Sequence, residues 1–549
     1  MMKTPYRPLG IRVEVWLIFI LLFALFLRVQ FFVGFANNDP QDDGIYINHA
    51  SRVMSGEHFN FTWAQKLVSQ EDMINPAHQF PFRWAMLLPT AASFSLFGVN
   101  DYSLGLYSLL CSLGSIVVIF YLGKTLFNER AGLIAAFLLS FFPLNVIHST
   151  RLLPDVPIAF FMGLSVLLFL RGERKTGIPS YLLLILSGIS LGIGYLAKVS
   201  SVILFVFIIG YLLFKWDFKK KHLLIFIGFI LVFAAEGSYY YMQTGDFFLH
   251  SHLYSKVYLF KYDTEIKGKT QSLALDNLIN VEYIPHQVKF YPLLLLNMKP
   301  GWRSRVIDCF GYFYYALIAS LVILALMWLR RKAPKNAWIP ALWVILLFMF
   351  LQFGPMNLQF AGDDFLVNYL VIAKIPRYLT VLSIPAMLVI ASLLSSDRWK
   401  IKWIVTPIVL LFLLYTSIPS LGDAQGDLSS KVSGVRDAAY FLKEMPPKNI
   451  YSDYVGRGHI KYYFGLERGD YLKSFGRLES PDKFEEDSYV VVGGSRGAVS
   501  CSHVMTQLTP EFLRSQPDGW ILMMNITSGV ESCNKKGYNT KVYYIPPRE

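Results

Sequence analysis

Long apolar stretches separated by short polar links fill the first 418 residues of the chain. They lie at 13–35, 104–127, 131–147, 156–170, 181–196, 199–214, 223–241, 307–329, 338–353, 379–394 and 403–418. Roughly 20 apolar residues in a helix cross the hydrocarbon of a bilayer, so several of these windows must recruit their flanks. The pattern predicts a mostly α, polytopic bundle of about eleven spans. A further stretch, 82–97, carries Pro89 and is read as a juxtamembrane helix. Between the first two spans the loop 36–103 holds the run DDGIYINHASRVMSGE. Ile45, Tyr46, His49, Ala50, Val53 and Met54 share one helical face and Gly56 ends the run. The run therefore predicts an amphipathic helix lying along the bilayer, with Asp42 and Asp43 at its N-terminus.

Past residue 418 the pattern shortens and becomes polar, with Gly and Pro punctuation. KNIYSD, YVVVGG, GWILMMNI and KVYYIP read as strands, and VRDAAYFLKEM and the segment after Pro510 as helices. The chain thus divides into a membrane domain, 1–418, and a small extracytoplasmic α/β domain, 419–549. GGSRG after the second of these strands reads as an ordinary turn, because no Walker or full dinucleotide pattern accompanies it.

Composition agrees with the pattern: 54% of the 549 residues are hydrophobic and 16% charged. The formal charge of +13 is distributed as topology requires. Lys3, Arg7 and Arg12 precede the first span, and Lys124 with Arg130, Arg171 with Arg174 and Lys175, Lys215 with Lys219 to Lys221, Arg330 to Lys335 and Arg398 to Lys402 fall on the same side. By the positive-inside rule the N-terminus is cytoplasmic, and an odd number of spans puts the C-terminus outside. Counting 82–97 as a span would reverse every later cluster. The charge therefore gives no reason to expect nucleic acid. The first window is too long for a cleavable signal and should remain as an anchor. Cys111 and Cys309 fall in spans, whereas Cys501 and Cys533 meet an oxidising compartment and are expected to form a disulfide.

Candidate chemistry gathers in the outer loops. Asp42 and Asp43 open the first loop, Asp155 stands at the mouth of the fourth span, Lys198 lies between the fifth and sixth, Arg377 precedes the tenth in IPRYL, and Arg28 sits near the outer end of the first. Carboxylates facing cations at one membrane surface suit a substrate with a hydroxyl to activate and a phosphate to hold. Each residue also has a plainer reading. The aspartates could cap helices, and the cations could snorkel to lipid headgroups. His49, His78, His250, His252 and His286 lack a compact ligand spacing, so no zinc site is expected.

DDGIYINHASRVMSG resembles the first external loop of GT-C membrane glycosyltransferases, the class of protein O-mannosyltransferases and lipid A aminoarabinose transferases. Asp42, Asp43, Tyr46, Ala50 and Gly56 fill the positions of the family's pattern. The similarity continues through LFGVNDYSLGLYSLL, YLGKTLFNERAGLIAAFLLSFFPL, HSTRLLPDVPIAF, YLAKVS and IPRYLTVLSIPA. The resemblance implies an inverting transferase in the cell envelope, using a sugar carried on a polyprenyl phosphate and a hydroxyl acceptor on the outer face of the membrane. Asp42 takes the base position, with Asp43 and Asp155 as further acidic positions. Lys198, Arg377, Tyr378 and Arg28 are the matching phosphate-side positions. Some members of the class use a divalent cation such as Mg or Mn at the acidic pair, and others do not. Two departures stand out. Gly105 occupies a position where many relatives have arginine, and HQFPFRW only loosely echoes the family's basic or histidine-proline element. The competing reading is a transporter or flippase of lipid-linked sugars, which would place ionisable residues near the midplane.

Overall fold

The computed structural model describes residues 12–35, 42–56, 59, 82–253, 310–354, 376–396, 402–452, 460–464, 471–474, 483–492, 516–526 and 540–547. The expected Cys501–Cys533 disulfide and the helix after Pro510 lie outside them. Seven helices among the described residues are long and apolar enough to cross a membrane: Val13–Gln30, Asp101–Leu126, Asp155–Arg174, Ile178–Ala197, Lys220–Thr244, Arg377–Leu394 and Trp403–Gly426. Four shorter apolar helices accompany them, at Trp84–Phe97, Val199–Lys215, Phe313–Leu329 and Trp338–Phe353. The architecture is therefore the expected polytopic α bundle. The window 131–147 differs from the pattern. It gives a 12-residue helix, Glu129–Ser140, and a 6-residue one, Pro143–His148. Pro143 lacks the N–H that would continue the first helix and instead starts the second.

In chain order, α1 (Val13–Gln30), α2 (Asp42–Met54), α3 (Trp84–Phe97) and α4 (Asp101–Leu126) come first. The expected amphipathic helix is α2, and Gly56 follows it with φ +81°, a left-handed backbone that glycine adopts without a Cβ penalty. The start of α4 is fixed by Asn100, whose side chain accepts from the backbone N–H of Tyr102 and Ser103, both at 3.0 Å. The Ser103 hydroxyl oxygen accepts from the Asn100 N–H in return at 3.1 Å.

The broken pair, α5 (Glu129–Ser140) and α6 (Pro143–His148), leads to α7 (Asp155–Arg174) and α8 (Ile178–Ala197). Then come α9 (Leu204–Lys215) and α10 (Leu223–Thr244). α8 and α10 cross almost backbone to backbone: a Cβ on Gly188 would stand 1.9 Å from the Ile225 carbonyl oxygen, and one on Gly228 would stand 2.1 Å from that of Ile185. Only glycine fits at both positions, so the crossing is written in the sequence.

The ends of these helices sort into two groups. At one end, the Val33 N–H just past α1 donates to the Thr150 hydroxyl at 3.2 Å, and α4 begins against the same residue. There too α7 begins and α8 ends, joined by Lys198 and Asp155. Helix α3 lies across this end. The Trp84 indole at its start donates to Tyr240 near the end of α10, and Ser93 donates to the Ser103 carbonyl at the start of α4 at 2.8 Å. The opposite end collects the basic clusters. Arg171 covers the Tyr121 ring at 4.8 Å, Lys221 pairs with Glu173 at 3.1 Å, and Arg130 covers the Trp403 ring at 4.2 Å.

After α11 (Phe313–Leu329), α12 (Trp338–Phe353) and α13 (Ser383–Leu394), the 42-residue α14 (Lys402–Lys443) runs through Pro407 and Pro419. The boundary drawn at 418 falls inside this continuous helix. Beyond it, β1 (Ile450–Ser452), β2 (Leu472–Ser474), β3 (Ser488–Val492), β4 (Ile521–Ile526) and β5 (Thr540–Ile545) form one sheet in the order β2-β1-β3-β5-β4. β1 runs parallel to β2 and β3, whereas β5 is antiparallel to β3 and β4. Four of the five were expected; β2 is three residues long and leaves no periodic signal. Alternate residues face opposite ways. Tyr489, Val491 and Val542 join a core with Val435, Ala438 and Leu442 of α14 and with Phe94 and Leu104 of the bundle. Val490, Val492, Trp520 and Tyr543 form a separate small core on the other face.

Candidate active site

Asp155 heads α7, after a backbone turn at Pro154, and its side chain is 1% exposed. A carboxylate so far from water needs partners. Two arrive from distant segments. Lys198 caps α8 in an extended conformation before the tight turn Val199–Ile203, and its Nζ stands 3.0 Å from Asp155 Oδ1. Arg377, in the turn Pro376–Leu382 that leads into α13, places Nε 3.7 Å from Asp155 Oδ2. Tyr378 completes the group: Lys198 Nζ lies 3.7 Å from its ring centroid and Arg377 Cζ 5.7 Å. Asp155, Lys198, Arg377 and Tyr378 were each singled out from sequence, and the fold brings them together.

Among the described residues three cations gather at this place, Lys198 and Arg377 on Asp155 and Arg83 within electrostatic reach of Lys198. Burial draws the Lys198 ammonium below the usual lysine range; Asp155 opposes this, while the charges of Arg83 and Arg377 push the same way. An anion beside Lys198 would offset the repulsion it feels from Arg83 and Arg377. His148, also buried, is drawn down to about 3 by burial and by Arg151, so its imidazole stays neutral beside Asp155 and Arg377. Ser201, Thr380 and Ser383 are buried on or beside the segments that carry Lys198 and Arg377, and their hydroxyls have no hydrogen-bond partner among the described residues.

Sequence reading passed over Arg83. Its guanidinium lies 5.0 Å from the Tyr46 ring centroid, and Tyr46 is fully buried on α2, one turn after Asp42. The signal was present in HQFPFRW, where the departure from the family's motif hid a cation. The side chains of Asp42 and Asp43 lie outside the described residues, although the helix they open is described.

Arg28 is placed differently. It is fully buried within the bundle, and it donates to Ser112 Oγ at 2.8 Å, the Ala24 and Ser140 carbonyls at 2.9 Å each, and Asn145 Oδ1 at 2.7 Å. These bonds tie α1 to α4, α5 and α6. Gly105 is explained by the same close packing, since a Cβ there would stand 2.5 Å from the Thr150 carbonyl oxygen. An arginine in its place would push α4 off the segment that leads to Asp155.

The sheet domain reaches this end as well. Tyr462 donates to Asp101 Oδ1 at 3.0 Å, and its ring lies 4.8 Å from that of Phe35. Burial, then the Asp101 charge, drives the Tyr462 phenol far above its usual range, so it remains a donor. Among the described residues no group of three His, Cys, Asp or Glu could hold a metal ion, and Asp155 is already taken up by two cations. His78 and His286 lie outside the described residues.

The family model described as dolichyl-phosphate-mannose-protein mannosyltransferase matches residues 85–238, a stretch that includes Asp155 and Lys198. Among solved structures, ArnT from Cupriavidus metallidurans bound to undecaprenyl phosphate is 12% identical, with 97% of this chain aligned to 99% of that one and a TM-score of 0.57. The same protein in the apo state is 13% identical over the same shares, at 0.56. The oligosaccharyltransferase of Archaeoglobus fulgidus, crystallised with Zn and sulfate, is 13% identical at a TM-score of 0.49, and the chain spans 61% of its length. No curated protein matches the chain in sequence. The fold is that of the GT-C membrane glycosyltransferases, a class of polytopic membrane proteins.

Proposed function

We propose that the chain transfers a sugar from a polyprenyl-phosphate donor to a hydroxyl acceptor, with inversion at the anomeric carbon, at the extracytoplasmic face of a bacterial inner membrane. The observation that supports this reading is the convergence of Lys198 and Arg377 on Asp155, with Arg83 close enough for its charge to act on Lys198. Such a group suits the oxygens of a leaving phosphate, whose charge grows as the glycosidic bond breaks. Asp42 is the base in this scheme. It takes the proton of the acceptor hydroxyl, the freed oxygen attacks the anomeric carbon, and the bond to phosphate breaks on the opposite face of the sugar. No leaving-group acid is needed, since a phosphate leaves as an anion. Asp155 holds Lys198 and Arg377 in place. Arg28 is left out of the phosphate group, because it is fully buried and four of its five N–H donors are spent within the bundle. A divalent cation at Asp42 and Asp43 would help lower the acceptor hydroxyl's pKa, and no step above depends on one.

The test uses the purified protein in lipid nanodiscs with a polyprenyl-phosphate sugar. Lys198→Ala and Arg377→Ala should each reduce kcat/KM for the donor by about 10- to 150-fold, the equivalent of roughly 1.5–3 kcal/mol for a charge-assisted bond. Donor kinetics unchanged in both variants would overturn the assignment. Orientation is checked separately, because the basic end should face the cytoplasm. In intact cells a cysteine at Lys220 should resist a membrane-impermeant thiol reagent, and one at exposed Tyr471 should react. The reverse pattern would invert the topology.

A further inference from the structure

A second polar cluster lies behind the cations, in a helix that the sequence pattern treats as plain hydrocarbon. Glu236 is buried on α10, about 12 Å of helix from its end at Thr244. An ionisable group inside a membrane-spanning helix is costly and is kept only where it has partners and a task. Its partners are explicit. Glu236 Oε1 accepts from the Tyr240 hydroxyl at 3.1 Å and lies 3.0 Å from His250 Nδ1. The Tyr240 oxygen in turn accepts from the Trp84 indole N–H, and the Tyr195 oxygen lies 3.4 Å from the same His250 nitrogen. The rings of Phe82 and His250 close the cluster at 5.3 Å between centroids.

Two branches of this network end beside the site cations. Trp84 immediately follows Arg83, whose guanidinium covers Tyr46 on the acidic helix. Tyr195 stands on the last turn of α8, three residues before Lys198. We infer that Glu236 is a positioning residue that braces Arg83 through Tyr240 and Trp84, and the Lys198 turn through His250 and Tyr195, so that both cations meet the lipid phosphate. This inference rests on the phosphate reading above. A brace of this kind acts on affinity through geometry, because a cation displaced by about 1 Å loses its aligned bonds to phosphate oxygens.

The probe is undecaprenyl phosphate, titrated onto the full-length protein in nanodiscs. Glu236→Leu should weaken binding about tenfold, and Glu236→Gln, which keeps an acceptor oxygen for Tyr240, should stay within about threefold of the native protein. Trp84→Phe keeps an aromatic ring and removes the N–H, so it should reproduce the part of the loss that runs through Arg83, with Glu236 itself unchanged. In a cycle with Arg83→Ala, the double variant Glu236→Leu/Arg83→Ala should lose clearly less than the product of the two single losses, since only the Lys198 branch is left to act. Multiplicative losses in that cycle would overturn the inference, as would native affinity in both Glu236→Leu and Trp84→Phe. Native protein that fails to bind undecaprenyl phosphate would overturn the phosphate reading itself. That outcome is visible before any Glu236 variant is compared.

Discussion

Asp42→Asn is expected to abolish transfer while leaving the lipid donor bound. Asn has nearly the shape of Asp and can cap α2 with its side-chain oxygen, so the helix at Asp42–Met54 should survive the change. The amide cannot take a proton from an acceptor hydroxyl, and the loss of a general base is worth roughly 10² to 10⁴ in rate. Tyr46, one turn along the same helix, remains under Arg83, so the phosphate side should be untouched. Undecaprenyl phosphate affinity near the native value, with turnover at least about a hundredfold down, is the expected pair of results. Near-normal turnover by a folded, donor-binding Asp42→Asn protein would remove Asp42 from the mechanism. Asp43→Asn should be milder if Asp43 only orients the loop.

The second large effect concerns folding. Asp155→Asn removes the charge of the carboxylate that Lys198 and Arg377 share in a largely buried place. Breaking a buried pair by removing one partner costs about 3–5 kcal/mol, and the value here should sit at the lower end, because the Lys198 side chain is 17% exposed and partly screened. Removing a cation as well restores the balance. The double variant Asp155→Asn/Lys198→Met should therefore recover much of the stability and none of the activity. Thermal unfolding in detergent, followed alongside transfer, measures both. A single variant as stable as the native protein would show that Asp155 is not holding the cations.

The sequence made some of this legible and hid the rest for identifiable reasons. The bounds of α2 were readable because Asp42 and Gly56 are local punctuation for a helix with one apolar face. The fracture at Pro143 was not, because hydropathy alone runs on across it. Asp155, Lys198 and Arg377 could each be named, yet no periodicity connects residues so far apart, and only the fold joins them in one ion-pair group. Arg28 looked like a neighbour of that group from its place near the end of α1. Whether such an arginine faces lipid, ligand or protein depends on Ser112, Ser140 and Asn145, which lie on three other helices. Glu236 was lost in the average of an apolar window, which a single polar residue barely lowers.

The unbroken path of α14 gives the sheet domain a fixed bearing. Forty-two residues of one helix run from the basic end of the bundle to β1, and the Tyr462–Asp101 bond pins the far side. Each residue of an α-helix advances the chain by about 1.5 Å and turns it by about 100°. The number of residues between Lys402 and Lys443 therefore works like the cut of a key. One residue more or fewer would swing the sheet about a quarter turn round the helix axis, taking Tyr462 away from Asp101 and leaving the Lys198–Asp155 end of the bundle facing a different wall.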